Sequence, residues 1–202
     1  MTEIKHIVFD IGQILIHYDA AVPYLRLIPD DDKRRFFFEN VCTSAWNVEQ
    51  DRGRSWEEAE AIKIKEYPDW EAEIRAFRTN WHEMVPHALD ERVAALLRLQ
   101  DDGHDVTLLT NFSSDTFRQA QEMYPFLKTG RGVTVSGDVK LIKPDPAIYD
   151  LHTKAFDLAP AATLFIDDSL PNIKSCIEFG WQGIHLSPGD DLEPHLASFK
   201  LS

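Results

Sequence analysis

Four short stretches of this chain end or interrupt apolar runs with groups that can do chemistry. "VFDIGQIL" closes the run Ile7-Val8-Phe9 on Asp10, with Gly12 two positions later. "LLTN" ends on Thr110 and Asn111, "IKPDPAIY" carries Lys143 before Pro144, and "FIDDSLPNI" carries Asp167, Asp168 and Asn172. Singly, each has an ordinary explanation: a strand-end acid caps the next helix, Thr-Asn makes a turn, and paired acids sit in a solvated loop. Together they form a set with one chemical purpose. A carboxylate can attack an electrophilic phosphorus or carbon and form a covalent intermediate. A phosphoryl group repels a carboxylate, and a shared divalent ion removes that repulsion. Asp10 and Asp168 suit Mg²⁺, which prefers oxygen ligands, with the Gly12 carbonyl as a third donor. Lys143 would neutralise the remaining charge, while the Thr110 hydroxyl and the Asn111 backbone N–H would donate to phosphate oxygens.

The elements needed to bring these groups together are legible around them. Residues 4–10, 105–111, 162–168 and 182–187 are short, apolar and rich in β-branched side chains, as buried parallel strands are, and 132–137 is a weaker candidate. Helical patterns alternate with them at 89–103, 113–125, 145–157 and 171–180. The first places Val93, Leu96, Leu97 and Gln100 at helical spacing, with Gly103 to close it. Strand–helix alternation predicts an α/β fold with a Rossmann-like parallel sheet, whose ligands bind beyond the carboxyl ends of the strands. Residues 20–85 hold no strand pattern. They are rich in charge and aromatics, with a capping box at Ser55/Glu58 and a break at Pro68. The expected organisation is a hydrolase core of residues 1–18 and 86–202, with an inserted helical cap at 19–85. Its aromatics (Phe36, Phe37, Phe38, Trp46, Trp56, Trp70, Phe77, Trp81) should mainly hold a small helical layer together, a few facing the site as a lid.

The totals set the surroundings. In 202 residues, 44% are hydrophobic, enough for a real core, and the formal net charge is −13. That charge argues against binding nucleic acid or an anionic membrane surface and leaves a small-molecule substrate as the expected partner. Cys42 and Cys176 match no metal or redox spacing. "MTEIKHIVFD" lacks the pattern of a signal peptide, so a cytoplasmic location is expected. Nothing in the sequence sets an oligomeric state.

The four stretches, in this order, resemble the motifs of the haloacid dehalogenase-like (HAD) hydrolase superfamily, and the early insertion resembles its small helical cap. The resemblance implies Asp10 as nucleophile, Thr110 as the second-motif hydroxyl, Lys143 as the third-motif lysine and Asp168 as the metal-binding acid, with Asp167 and Asn172 orienting the acidic loop. The forms "FDIGQIL" and "DDSLPN" look like the branch containing glucose-1-phosphate phosphatases. "WNVEQDRGRSWEEA" is similar to the cap stretch that reaches the site, which makes Arg52 or Arg54 a candidate substrate contact.

The chain departs from the pattern at Gly12, where most phosphatases of the superfamily carry a second aspartate that moves protons. Losing a positioned acid–base group costs about 10²–10⁴-fold in rate. Either His17, Asp19, Glu49 or Asp51 takes its place, or the leaving group needs little protonation, as a sugar-1-phosphate would, or the chain is not an efficient phosphatase. The expected function is Mg²⁺-dependent hydrolysis of a small phosphorylated metabolite, such as a sugar phosphate, through an aspartyl-phosphate at Asp10. The competing readings are a 2-haloacid dehalogenase, which needs neither metal nor acid, and a non-catalytic binding protein.

Overall fold

The computed structural model describes residues 3–201; the outermost positions of the expected core, 1, 2 and 202, lie outside the described residues. The chain opens with β1 (His6–Phe9) and then runs through helices α1 (Tyr24–Leu27), α2 (Asp31–Phe36), α3 (Ser44–Asp51), α4 (Trp56–Glu66) and α5 (Glu71–Thr79). Next come α6 (Asp90–Asp101), β2 (Asp105–Thr110), α7 (Ser114–Met123), β3 (Val133–Val135), the single turn α8 (Ser136–Val139) and α9 (Pro146–Ala155). β4 (Thr163–Asp167), α10 (Leu170–Phe179), β5 (Gln182–His185) and α11 (Glu193–Ser198) complete it. The five strands are parallel in the order β3-β2-β1-β4-β5. β1 is therefore central, and the chain adds strands first on one side of it and then on the other. That reversal opens a crevice at the carboxyl end of β1.

The strand side chains sort by the period-2 rule. Ile7, Phe9, Leu108, Leu164 and Ile166 enter one apolar cluster, while Val8, Leu109 and Phe165 enter the other. The first cluster is backed by Ala95, Leu96 and Leu99 of α6 and continues without a break into Tyr24, Phe37, Trp46, Trp56 and Phe77 of the helical stretch. The second is backed by Ile148 and Tyr149 of α9 and by Ile173 and Cys176 of α10.

The expected helix over 89–103 forms, but its buried face is Arg92, Ala95, Leu96 and Leu99; Leu97 is exposed. The apolar pattern misplaces the face because an arginine occupies one turn of it. The Ser55 cap forms as expected, its hydroxyl accepting from the Glu58 N–H, and Pro68 separates α4 from α5. The chain enters and leaves the helical stretch side by side: His17 N–H donates to the His87 carbonyl, Asp19 N–H to Met84 and Leu89 N–H to Leu15. This short two-chain ribbon joins residues 20–85 to the sheet. Among the described residues, no helix is long and apolar enough to cross a membrane, and both cysteines are free and buried.

Candidate active site

Three adjacent strands bring the candidate groups together. Thr110 ends β2, Asp10 follows β1 directly, and Asp167 ends β4 with Asp168 next in the chain. Asp10 extends the ladder by one bond, its N–H donating to the Ile166 carbonyl at 2.9 Å. The apolar run therefore stops on an acid because the strand reaches the crevice there. Asp10, Asp167 and Asp168 each offer a carboxylate oxygen within 4.8 Å of the others.

One cation sits among them. Lys143 Nζ lies 2.8 Å from Asp10 Oδ1 and 2.8 Å from Asp167 Oδ2, and also donates to the Leu109 carbonyl at 3.1 Å. Its side chain is 1% exposed. Burial alone would lower the ammonium, but Asp10 and Asp167 overcome that and hold it above its ordinary value. Asn111 sets its position: the amide nitrogen donates to the Lys143 carbonyl and the amide oxygen accepts the Lys143 N–H. Asp167 is fully committed. Its oxygens accept from Lys143, from the Ser169 N–H at 2.7 Å and from Asn172 Nδ2 at 3.0 and 3.1 Å. It anchors the lysine and has no lone pair aimed at a substrate.

Asp10 Oδ1 accepts from the Ile11 N–H and from Lys143, leaving Oδ2 uncommitted. Burial pushes its carboxyl up to about 7, with Lys143 opposing and Asp167 adding to the rise. Burial and Asp167 also raise the half-buried Asp168, which makes no side-chain hydrogen bond among the described residues. Three carboxylates against one ammonium leave an excess of negative charge that low-dielectric surroundings penalise. A divalent cation held by Asp10 and Asp168 would relieve it, and an all-oxygen donor set suits Mg²⁺.

A cavity of about 200 Å³ opens over Asp10. Gly12, Thr110, Asn111 and Asp168 lie on its polar floor, and Ile11, Ile16, Tyr18, Trp56, Trp81 and Phe112 form apolar walls. Trp56 and Trp81 come from the helical stretch, so two of the expected packing aromatics also border the site. A Cβ built on Gly12 meets nothing within 4 Å. The loop after Asp10 is fixed by Gln13, at φ 56°, whose amide nitrogen donates to the Tyr18 carbonyl and whose own carbonyl accepts from Arg92.

Of the candidates to replace an acid at position 12, one reaches the cavity. Asp51 lines it. His17 stacks on His87 at 5.0 Å outside it, Asp19 accepts the Ala21 N–H, and Glu49 is half exposed, 3.6 Å from Arg52. Arg52 itself, 47% exposed, is not on the cavity wall, and Arg54 is spent bonding Gln50 Oε1 and the Trp46 carbonyl. The turn through Gly53, at φ 99°, sends Asp51 inward and Arg52 out. Sequence reasoning missed Arg92, buried and bonded to the carbonyls of Gln13, Ser187 and Asp190. An arginine interrupting the apolar face of α6 was the available signal.

The haloacid dehalogenase-like hydrolase family matches residues 4–180. The chain belongs to the haloacid dehalogenase-like hydrolase family. Over 99 residues it is 33% identical to the sesquiterpene phosphatase astK of Aspergillus oryzae, a stretch covering 48% of this chain and about half, 50%, of that relative's length. HAD family enzyme BT-2542 of Bacteroides thetaiotaomicron, in complex with magnesium and inorganic phosphate, has a TM-score of 0.75 at 21% identity, covering 95% of this chain and 98% of that one. L-2-haloacid dehalogenase of Xanthobacter autotrophicus, with chloropropionic acid covalently bound, has a TM-score of 0.65 at 15% identity, covering 98% and 84%. At these identities the two structures attest the HAD fold.

Proposed function

We propose that this hydrolase is a Mg²⁺-dependent phosphatase of a small organic phosphate monoester, acting through an aspartyl-phosphate at Asp10. The observation that carries the reading is the charge imbalance: a metal-free carbon–halide hydrolase has no use for Asp168 beside Asp10 and Asp167. The phosphatase activity named for the Aspergillus relative and the magnesium and phosphate bound by the Bacteroides enzyme support it.

In this reading Asp10 Oδ2 attacks phosphorus. Lys143, held by Asn111 and Asp167, keeps the Asp10 carboxylate oriented and offsets charge on the transferred group. The Thr110 hydroxyl, without a protein partner among the described residues, and the Asn111 N–H donate to phosphoryl oxygens. When bound at Asp10, Asp168 and the Gly12 carbonyl, Mg²⁺ supplies a Lewis acid that lets two anions meet. Residues 19–85 act as a cap, with Trp56 and Trp81 excluding water from the site.

The sequence pointed to a sugar phosphate among other metabolites. The aliphatic and aromatic walls suit an apolar alcohol, while the Asn47 amide and the Tyr18 phenol, which also line the cavity, are the groups a sugar hydroxyl would have to meet. A panel of alkyl, aryl, prenyl and sugar phosphates, assayed for phosphate release with Mg²⁺ and with chelator, tests the reading; Asp10→Asn is the control. Release that requires the metal and Asp10 is expected. No release from any ester overturns it. The competing dehalogenase reading draws on Gly12, since halide leaves without a proton. Halide release from 2-chloropropionate that persists in chelator would establish it instead.

A further inference from the structure

Gly12 leaves the core without a side chain that can move a proton, yet an alkoxide is a poor leaving group. Besides Asp10 and Asp168, which are assigned to the nucleophile and the metal, the cavity is lined by one acid among the described residues, Asp51. Asp51 is the last residue of α3, so its carboxyl meets the negative end of that helix, which disfavours its ionised form. Its place is built from the sheet side. The Ser136 hydroxyl donates to the Asp51 carbonyl at 2.6 Å across 85 residues of chain, and Gly53 packs against Gly137. Trp56, four residues after Gly53's neighbour Arg52, ties the same stretch to Ser113 through its indole N–H at 3.3 Å. Among the described residues no lysine, arginine or histidine pairs with Asp51, whereas Asp10 and Lys143 are locked together. The charged or titratable groups that face it are Asp10 across the cavity and the Tyr18 phenol. Arg52 and Arg54, on its own segment, are engaged elsewhere.

We propose that Asp51 is the proton carrier of the reaction, delivered from the helical insertion into the space left open at Gly12. This rests on the phosphatase reading. In the first step Asp10 Oδ2 bonds to phosphorus, the P–O bond to the alcohol breaks, and the departing oxygen keeps that electron pair and takes the proton from the neutral Asp51 carboxyl. In the second, water bonds to phosphorus, the P–O bond to Asp10 breaks, and the water's proton returns to the Asp51 carboxylate. Ester and water become alcohol and phosphate, and both acids are regenerated. Burial raises the Asp51 carboxyl to about 7, with the Ser113 N–H opposing and Asp10 adding, which suits a group that must give and take a proton near neutrality.

The test uses Asp51→Asn, which keeps the shape and removes the transferable proton, with two substrates in the presence of Mg²⁺: n-butyl phosphate and p-nitrophenyl phosphate. Nitrophenolate leaves without a proton, so the variant should release a stoichiometric burst of it and then turn over slowly, because the second step lacks its base. Turnover of butyl phosphate should fall by about 10²–10⁴-fold with no burst. The double variant Gly12→Asp/Asp51→Asn, for which the backbone has room, should recover butyl phosphate turnover by at least about tenfold over the single variant. Wild-type turnover of butyl phosphate by Asp51→Asn, or equal loss on both substrates without a burst, overturns the proposal while leaving the phosphatase reading intact. A wild-type protein inactive on both esters overturns the reading beneath it.

Discussion

Replacing Lys143 with methionine removes the one ammonium in the cluster while keeping most of its stem. Its Nζ holds Asp10 and Asp167 at 2.8 Å each in a site where Asp167 is fully buried. Breaking a buried pair from one side costs about 3–5 kcal/mol, because the partner charge stays behind unpaired. In a chain of this size each kcal/mol moves the melting temperature by about 2–4 °C, so a fall of roughly 6–20 °C is expected at pH 8 in chelator. The sign of the pH dependence follows from linkage. Without the ammonium that opposes the rise, the Asp10 carboxyl sits further above its unfolded value, so the folded state binds more protons than the unfolded one. Stability then falls as pH rises, and the deficit against wild type should be small near pH 4.5 and full by pH 8. Melting curves of both proteins across that range, read by circular dichroism, make the measurement. A variant as stable as wild type at pH 8, or a deficit equal at both ends, would refute the buried-charge argument.

Asp51→Asn should behave in the opposite sense: its melting temperature should exceed wild type by a margin that grows from pH 4.5 to 7.5. The rise of the carboxyl from 3.8 to about 7 caps this gain at about 4 kcal/mol. The buried His152, depressed to about 3, titrates in both proteins and cancels from the difference. Adding Mg²⁺ at pH 7.5 should raise the wild-type melting temperature, and Asp168→Asn should abolish most of that rise; an equal rise in the variant would place the cation elsewhere. Arg92→Met should lose about 2 kcal/mol or more by stranding the carbonyls of Gln13, Ser187 and Asp190, and should lower kcat by loosening the loop after Asp10. Unchanged denaturant midpoint and kcat would remove Arg92 from the support of the site.

The α/β order was legible because five segments carry β-branched runs that the parallel sheet buries on both faces, and even the weak 132–137 pattern yields the short strand Val133–Val135. The strand ends were legible for the same reason: an acid that stops an apolar run must stand at the sheet's rim. Helical spacing failed at α6, where Arg92 holds a core-facing position and the face cannot be read from apolar residues alone. It could not choose between Asp51 and Arg52, adjacent residues whose opposite directions depend on the helix end and the left-handed turn at Gly53. Nor could it show that Asn111 would spend its side chain on the backbone of Lys143, since that contact joins residues far apart in the chain.

Covalent transfer to Asp10 is the central step of the proposed reaction, and trapping that intermediate tests it most directly. The enzyme is acid-quenched during turnover of p-nitrophenyl phosphate with Mg²⁺, reduced with borohydride to convert an acyl phosphate to the alcohol, and read by peptide mass spectrometry. Reduction at position 10, absent in Asp10→Asn and absent without substrate, is the predicted result. Modification of another residue, or full turnover with Asp10 unmodified throughout, would contradict it.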